Sequence, residues 1–243
     1  MYALLTLNFK RKKYHRKTVE NSVYFKSRRN HIRKGGNYLL NHILLFFVAI
    51  GIGIVGAIIG WEFSTVMILI VSLTLLNIGY YLYIVFNSKN VKKLEKIIES
   101  NKKDPMYGYL WALKNEDIKI AIENLDTLME KYKKKFNYHA YGYIKEILLN
   151  NYEGARKHAE EMKDTPIGKY SLAAVDAYEG NAKQHFNTSF SKPWMLDSIK
   201  ATHYYIHGDY ELYKNHRDLV IAQSKGIQLL SNIYVYKIFE KTK

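Results

Sequence analysis

His203 and His207 lie four residues apart, a spacing that would set two imidazoles on one face of a helix, where they could grip a metal ion; His216 is close behind in sequence. No carboxylate completes a ligand set such as H-E-x-x-H, and among nine histidines such a pair arises readily by chance. The paired acids Glu116-Asp117 and Glu160-Glu161 read as helix caps and solvated faces rather than as an acid–base couple. There is no G-x-x-x-x-G-K-[ST] phosphate loop and no G-x-S-x-G nucleophile elbow. The chain has no cysteine, so disulfides, thiolate catalysis, iron–sulfur clusters and thiolate-bound zinc are excluded. The sequence therefore predicts a non-enzymatic protein with no metal and no cofactor. The residues left to carry function are those of binding surfaces: lysine and arginine, small residues in apolar runs, and 22 tyrosines, whose amphipathic rings favour interfaces.

Those residues fall on distinct elements of a 243-residue chain. Between Lys34 and Lys89 the only Asp, Glu, Lys or Arg is Glu62, and two apolar runs, residues 39–61 and 64–86, flank it. Each is long enough for a helix to cross the hydrocarbon core of a bilayer, where every backbone polar group must be bonded internally. The sequence predicts a transmembrane helical hairpin over residues 38–87 with a very short turn. Residues 1–37 carry eleven lysines and arginines against one acid, Glu20, and Lys89, Lys92, Lys93 and Lys96 follow the second run. Positive charge marks the inner side, so both termini are expected in the cytoplasm and the protein in the cell membrane as a multi-pass chain. Trp61 and Phe63 then sit at the outer interface, and Tyr80, Tyr81 and Tyr83 toward the inner one. The apolar residues of 1–9 precede the basic cluster, the reverse of a secretory leader.

Ala49, Gly53, Gly56, Ala57 and Gly60 place small residues along the first run, with GxxxG at Gly56 and Gly60. Such residues let helix backbones approach closely. They suit packing against the second run, or alternatively dimerisation or docking to another membrane protein. Asn41 and His42 lie near the inner interface, and Asn77 is placed to bond across the hairpin. The basic arm, residues 10–34, is interleaved with Tyr14, Tyr24 and Phe25. Its place beside a membrane helix predicts binding to anionic inner-leaflet lipids, each lysine or arginine worth about 1 kcal/mol near the surface. The same pattern could track phosphates and stack bases, but position already accounts for the charge, so nucleic acid is the disfavoured reading.

Residues 88–243 are expected to form a cytoplasmic all-α domain. In residues 116–134, Ile118, Ala121, Ile122, Leu125, Leu128, Met129 and Tyr132 form one helical stripe. Pro105, Pro166 and Pro193 stand where helices would begin. Tyr107-Gly108-Tyr109-Leu110 recurs 34 residues later as Tyr141-Gly142-Tyr143-Ile144, and Ala121 and Ala155 are again 34 apart. Polar breaks recur at Glu116-Asp117-Ile118, Asn150-Asn151-Tyr152, Gly180-Asn181-Ala182 and Gly208-Asp209-Tyr210. Helix–break–helix at this period resembles tetratricopeptide repeats, over roughly residues 102–242. The small helix-B position is His185 in the third unit and Tyr213 in the fourth, where the pattern loosens. The resemblance implies an α-solenoid of stacked hairpins whose concave surface binds a peptide or protein, with Tyr107, Leu110, Lys114, Tyr141, Ile144 and Lys145 lining it. The last helix, residues 226–239, is apolar nearly all round, which predicts burial on both sides, by a partner or by the array itself. The expected whole is a membrane-anchored adaptor or scaffold in envelope biogenesis or secretion. The alternative is an accessory subunit of a transport or channel complex that acts through its hairpin.

Overall fold

A computed structural model describes residues 36–133 and 136–241, with side chains from residue 47 onward. The basic arm, residues 10–34, and the side chains of Asn41 and His42 lie outside the described residues. Every regular element among the described residues is helical. The chain divides into Met1–Gly51 and Ile52–Lys243. Of the first unit only the opening turns of a helix are described; the packing below belongs to the second.

The helix α1 runs Gly36–Ile59 and α2 runs Phe63–Asn87. The turn between them is made by Gly60, whose left-handed φ of 76° lets the Trp61 N–H donate back to the Gly56 carbonyl at 2.8 Å. The elements therefore begin and end a few residues away from the expected 39–61 and 64–86, and Trp61 belongs to the turn. By length and composition α2 can cross a membrane; the described apolar part of α1, Phe47–Ile59, is shorter. Only Val66, Ile84 and Val85 of α2 are buried.

Among the described residues nine further helices follow: α3 Val91–Ser100, α4 Pro105–Lys114, α5 Ile118–Lys131, α6 Phe136–Leu148, α7 Tyr152–Glu160, α8 Pro166–Tyr178, α9 Pro193–Ile206, α10 Tyr210–Gln223 and α11 Gly226–Lys241, with a 3-10 turn at Lys183–His185 between α8 and α9. The three prolines occupy the first turn of α4, α8 and α9, where a missing N–H costs nothing. The four polar breaks are one turn made four times. Glu116, Asn150, Gly180 and Gly208 all take left-handed φ, at 60°, 56°, 82° and 78°. The residue after each donates its N–H to a carbonyl five back: Asp117 to Ala112, Asn151 to Glu146, Asn181 to Asp176 and Asp209 to Tyr204, at 2.7–3.0 Å. These bonds satisfy carbonyls that the ending helix leaves open. Asp117, Asn151 and Asp209 then cap the next helix, each side chain accepting an N–H three residues on. Asn181 leads instead into the 3-10 turn, so the third unit has no full second helix.

Glycine sets the closeness of the first two pairs. A Cβ on Gly108 would lie 2.5 Å from the Asn124 side chain of α5, and one on Gly142 would lie 2.5 Å from the His158 ring of α7. Ala121 and Ala155 are both wholly buried. The predicted stripe of α5 turns inward through Ala121, Leu125 and Leu128. From α3 to α10 each helix packs on the next. The last helix departs from that order: α11 touches α10 but also α2, α3 and α4. Of the two coverings open to the last helix, a partner or the array itself, the structure shows the second, with α11 joining α2, α3 and α4 to α10.

Candidate functional site: the face covered by the C-terminal helix

The approach of α11 begins at the foot of α2. The Gly226 N–H donates to the Ser88 carbonyl at 2.8 Å, and Lys89 Nζ donates to the Ala222 carbonyl at 2.8 Å. Gly226 has φ 60°, and a Cβ there would fall 2.1 Å from the Val85 carbonyl oxygen. Only glycine satisfies both the backbone angle and the contact.

Along its length α11 is held from two sides. Toward α3 and α4, Tyr234 donates its hydroxyl to Glu95 at 3.0 Å, Ser231 meets the Tyr109 hydroxyl, and Lys237 and Lys241 converge on Glu116 at 3.0 and 2.7 Å. Toward α8, α9 and α10, Phe239 stacks on Tyr205 at 5.0 Å and meets Tyr178 edge-on at 5.9 Å. Tyr205 donates to the Phe239 carbonyl at 2.6 Å, Tyr236 packs on Tyr213, and Arg217 pairs with Glu240. Leu229, Leu230, Tyr234 and Tyr236 are buried, and Val235 and Phe239 are partly covered. The helix that is apolar all round is thus covered by its own chain.

Burial governs the phenols of this face. It pushes the Tyr109 hydroxyl up to about 12 against the lowering bond from Ser231. It also raises Tyr143, Tyr178, Tyr213, Tyr234 and Tyr236 above the ordinary tyrosine value. All are neutral at physiological pH, and the Tyr109, Tyr213 and Tyr234 hydroxyls also form hydrogen bonds. Hydrogen bonds from Lys241 and Lys237 hold the Glu116 carboxyl below its usual range.

The residues expected to line an open groove are dispersed. Leu110 is 1% exposed and belongs to the core. Tyr107 shares a hydroxyl–hydroxyl bond with Tyr81 of α2 at 3.0 Å, and Lys114 pairs with Glu95 at 2.9 Å. Tyr141 lies 5.9 Å from the Tyr132 ring, Lys145 is paired with Asp126, and Ile144 is half-buried. The residues that do meet α11 include Tyr109, Tyr178, Tyr205 and Glu116. In Tyr-Gly-Tyr the two rings stand about 200° apart around a helix. Because Gly108 must face α5, Tyr107 and Tyr109 turn to opposite flanks. The glycine was the signal for the phase.

The small residues of α1 have separate duties. Gly56 is buried and packs on α2, since a Cβ there would lie 2.6 Å from Val66. Gly60 is the helix stop, a Cβ at Gly53 would meet nothing within 4 Å, Ala57 is exposed and Ala49 is half-buried.

Among the described residues no three of His, Cys, Asp and Glu are grouped to hold a metal. The His203 and His207 rings lie 4.0 Å apart, with His207 Nδ1 bonded to the His203 carbonyl at 2.8 Å. His216 is bonded to Asp197 at 2.8 Å and His185 to Asp176 at 2.6 Å. Both Asp–His pairs tie an Asp of a first helix, α8 or α9, to the segment that follows it. No family model, curated protein or solved structure matches the chain.

Proposed function

We propose that the protein is a membrane-anchored adaptor, with α1 and α2 as a two-span hairpin and the helices from α3 onward as a cytoplasmic, tetratricopeptide-like domain that binds a protein partner. The observation that carries this reading is the behaviour of α2. Nearly all of its length is exposed and apolar, including Phe63, Ile68, Leu75, Leu76 and Tyr83, while its foot, Ile84 and Val85, is buried among the later helices. A helix so divided is solvated by lipid along one part and by protein along the other. The domain is then a fixed continuation of its anchor, and the membrane raises its effective concentration toward other membrane proteins. Exposed apolar residues remain for a partner at Ile120 on α5 and at Leu212 and Leu219 on α10.

The chain has no cysteine, so single cysteines report topology directly. Trp61→Cys should react with an impermeant maleimide outside intact cells, and Lys163→Cys only after permeabilisation. Labelling of both from outside sinks the two-span topology. Photo-crosslinkers at Ile120, Leu212 and Leu219 should capture a discrete protein in cells, and capture at none of them sinks the adaptor reading. The accessory-subunit reading has its own observation, the open surface at Gly53 of α1. If the hairpin is the working part, Gly53→Leu should abolish function while leaving capture at Leu219 intact.

A further inference from the structure

The helix α3 follows α2 after three residues and sorts its side chains by face. Leu94, Ile97 and Ile98 are buried, no more than 2% exposed. Glu95 turns to the flank, held by Lys114 and Tyr234. Lys92, Lys93 and Lys96 are exposed together, and Lys89, also exposed, lies in the link just before the helix with its Nζ on the Ala222 carbonyl. The acid is thus neutralised inside the protein while the bases stand out from it.

The depth of this face follows from its contacts with α2. Lys93 Nζ donates to the Tyr80 hydroxyl at 2.6 Å and lies 5.0 Å from the centre of its ring. Tyr80 is seven residues before the end of α2, so α3 folds back beside the last two turns of the apolar helix. Tyr107 of α4 meets Tyr81 at the same level. Above that level lie residues 63–79 of α2, mostly exposed save Val66, about 26 Å at 1.5 Å per residue and close to the hydrocarbon thickness of a bilayer. The lysines therefore stand where the hydrocarbon ends and phosphates begin. Lys225 joins them, since its neighbour Gly226 is bonded to Ser88, and it is exposed.

We propose that the outer face of α3, Lys92, Lys93 and Lys96 with Lys89 and Lys225 beside them, binds the headgroups of anionic phospholipids and seats the helical domain against the membrane. Tyr80 sets the depth by holding Lys93 at the interface. This inference rests on α2 being a membrane span. It assigns lipid contact to the folded domain itself, separately from the basic arm at residues 10–34. Each lysine near an anionic surface contributes about 1 kcal/mol, or roughly fivefold in binding.

The test uses the full chain in nanodiscs containing phosphatidylglycerol with a photoreactive headgroup, or phosphatidylcholine labelled in the same way. Crosslinks are mapped by mass spectrometry. Phosphatidylglycerol should label residues 89–96, phosphatidylcholine should not, and Lys92→Gln/Lys93→Gln/Lys96→Gln should cut the labelling at least about tenfold. The control Lys119→Gln/Lys163→Gln/Lys169→Gln, the same charge removed from other exposed positions, should leave it unchanged, and hydrogen exchange should show both variants folded. Labelling confined to residues 1–35, equal labelling by both lipids, or an equal fall in the control overturns the proposal while leaving the anchor intact. Failure of the wild-type chain to enter nanodiscs overturns the anchor and this inference together.

Discussion

Single residues carry the sharpest expectations because several sit where only one side chain is comfortable. Asn150 holds a left-handed φ of 56°. Asn150→Gly removes that steric cost, gives up only a long 3.4 Å bond from the Tyr152 hydroxyl, and should stabilise by about 0.5–1 kcal/mol, seen as a higher urea midpoint in detergent. Glu116 has the same backbone strain, yet Glu116→Gly also releases Lys237 and Lys241, so it should fail to show the gain of Asn150→Gly. Gly226→Ala places a carbon on the Val85 carbonyl and should destabilise by about 2 kcal/mol or more. Titration adds a pH dependence. His158 is lowered from 6.5 by burial and by His139, and His203 by burial and by His207 and Lys183. The unfolded chain then binds protons that the folded one refuses, so stability should decline as pH falls below about 6.5. At Asp176 burial opposes ionisation, but the bonds from His185 and Arg156 outweigh it and hold the carboxyl below 3.8. Its contribution is present above that value and lost only as pH falls through the lowered one. Urea midpoints at pH 5.0 and 7.5 measure the histidine part, which His158→Gln should reduce.

At the scale of elements, repeated local chemistry was legible and assembly was not. The prolines at 105, 166 and 193 and the four breaks are set by backbone sterics and capping, which act within five or six residues, and each stands where the sequence placed it. Ala121 is legible from the apolar stripe and Ala155 from its recurrence 34 residues later, and both are wholly buried. The phase of α4 is set by Gly108, which faces α5: Leu110 packs inward, and of the two rings beside the glycine it is Tyr109 that meets α11. The apolar circumference of α11 marks it for burial, but its docking on α3 and α4 is not legible, since those contacts span more than a hundred residues, as with Tyr234 and Glu95. The turn between α1 and α2 gives an element-scale expectation. Gly56→Leu would drive a side chain into Val66 and Trp61 and should part the two helices. A disulfide between cysteines introduced at Gly53 and Leu69 would not report this, because Gly53 has no neighbour within 4 Å; hydrogen exchange of the α2 amides in detergent would, as faster exchange over residues 63–70.

For the whole molecule, the contacts of α11 change the expected cooperativity. In an open stack each unit depends on its neighbours alone, and damage at one end stays there. Here Lys241 reaches Glu116 and Tyr205 holds Phe239, so the first and last units share one helix. Removing residues 226–243 should therefore raise hydrogen exchange in α3 and α4 as much as in α9 and α10; protection lost from α10 alone would show that the joint is slack. The sequence separations of these bonds, 125 residues for Lys241 and Glu116 and 139 for Tyr234 and Glu95, also fix an order of events during synthesis. Everything from α2 to α10 is synthesised before α11, so the tyrosine-lined surface is still bare when residue 226 is made. A chain cut short before residue 226 would be left with that apolar face uncovered and open to quality-control proteases.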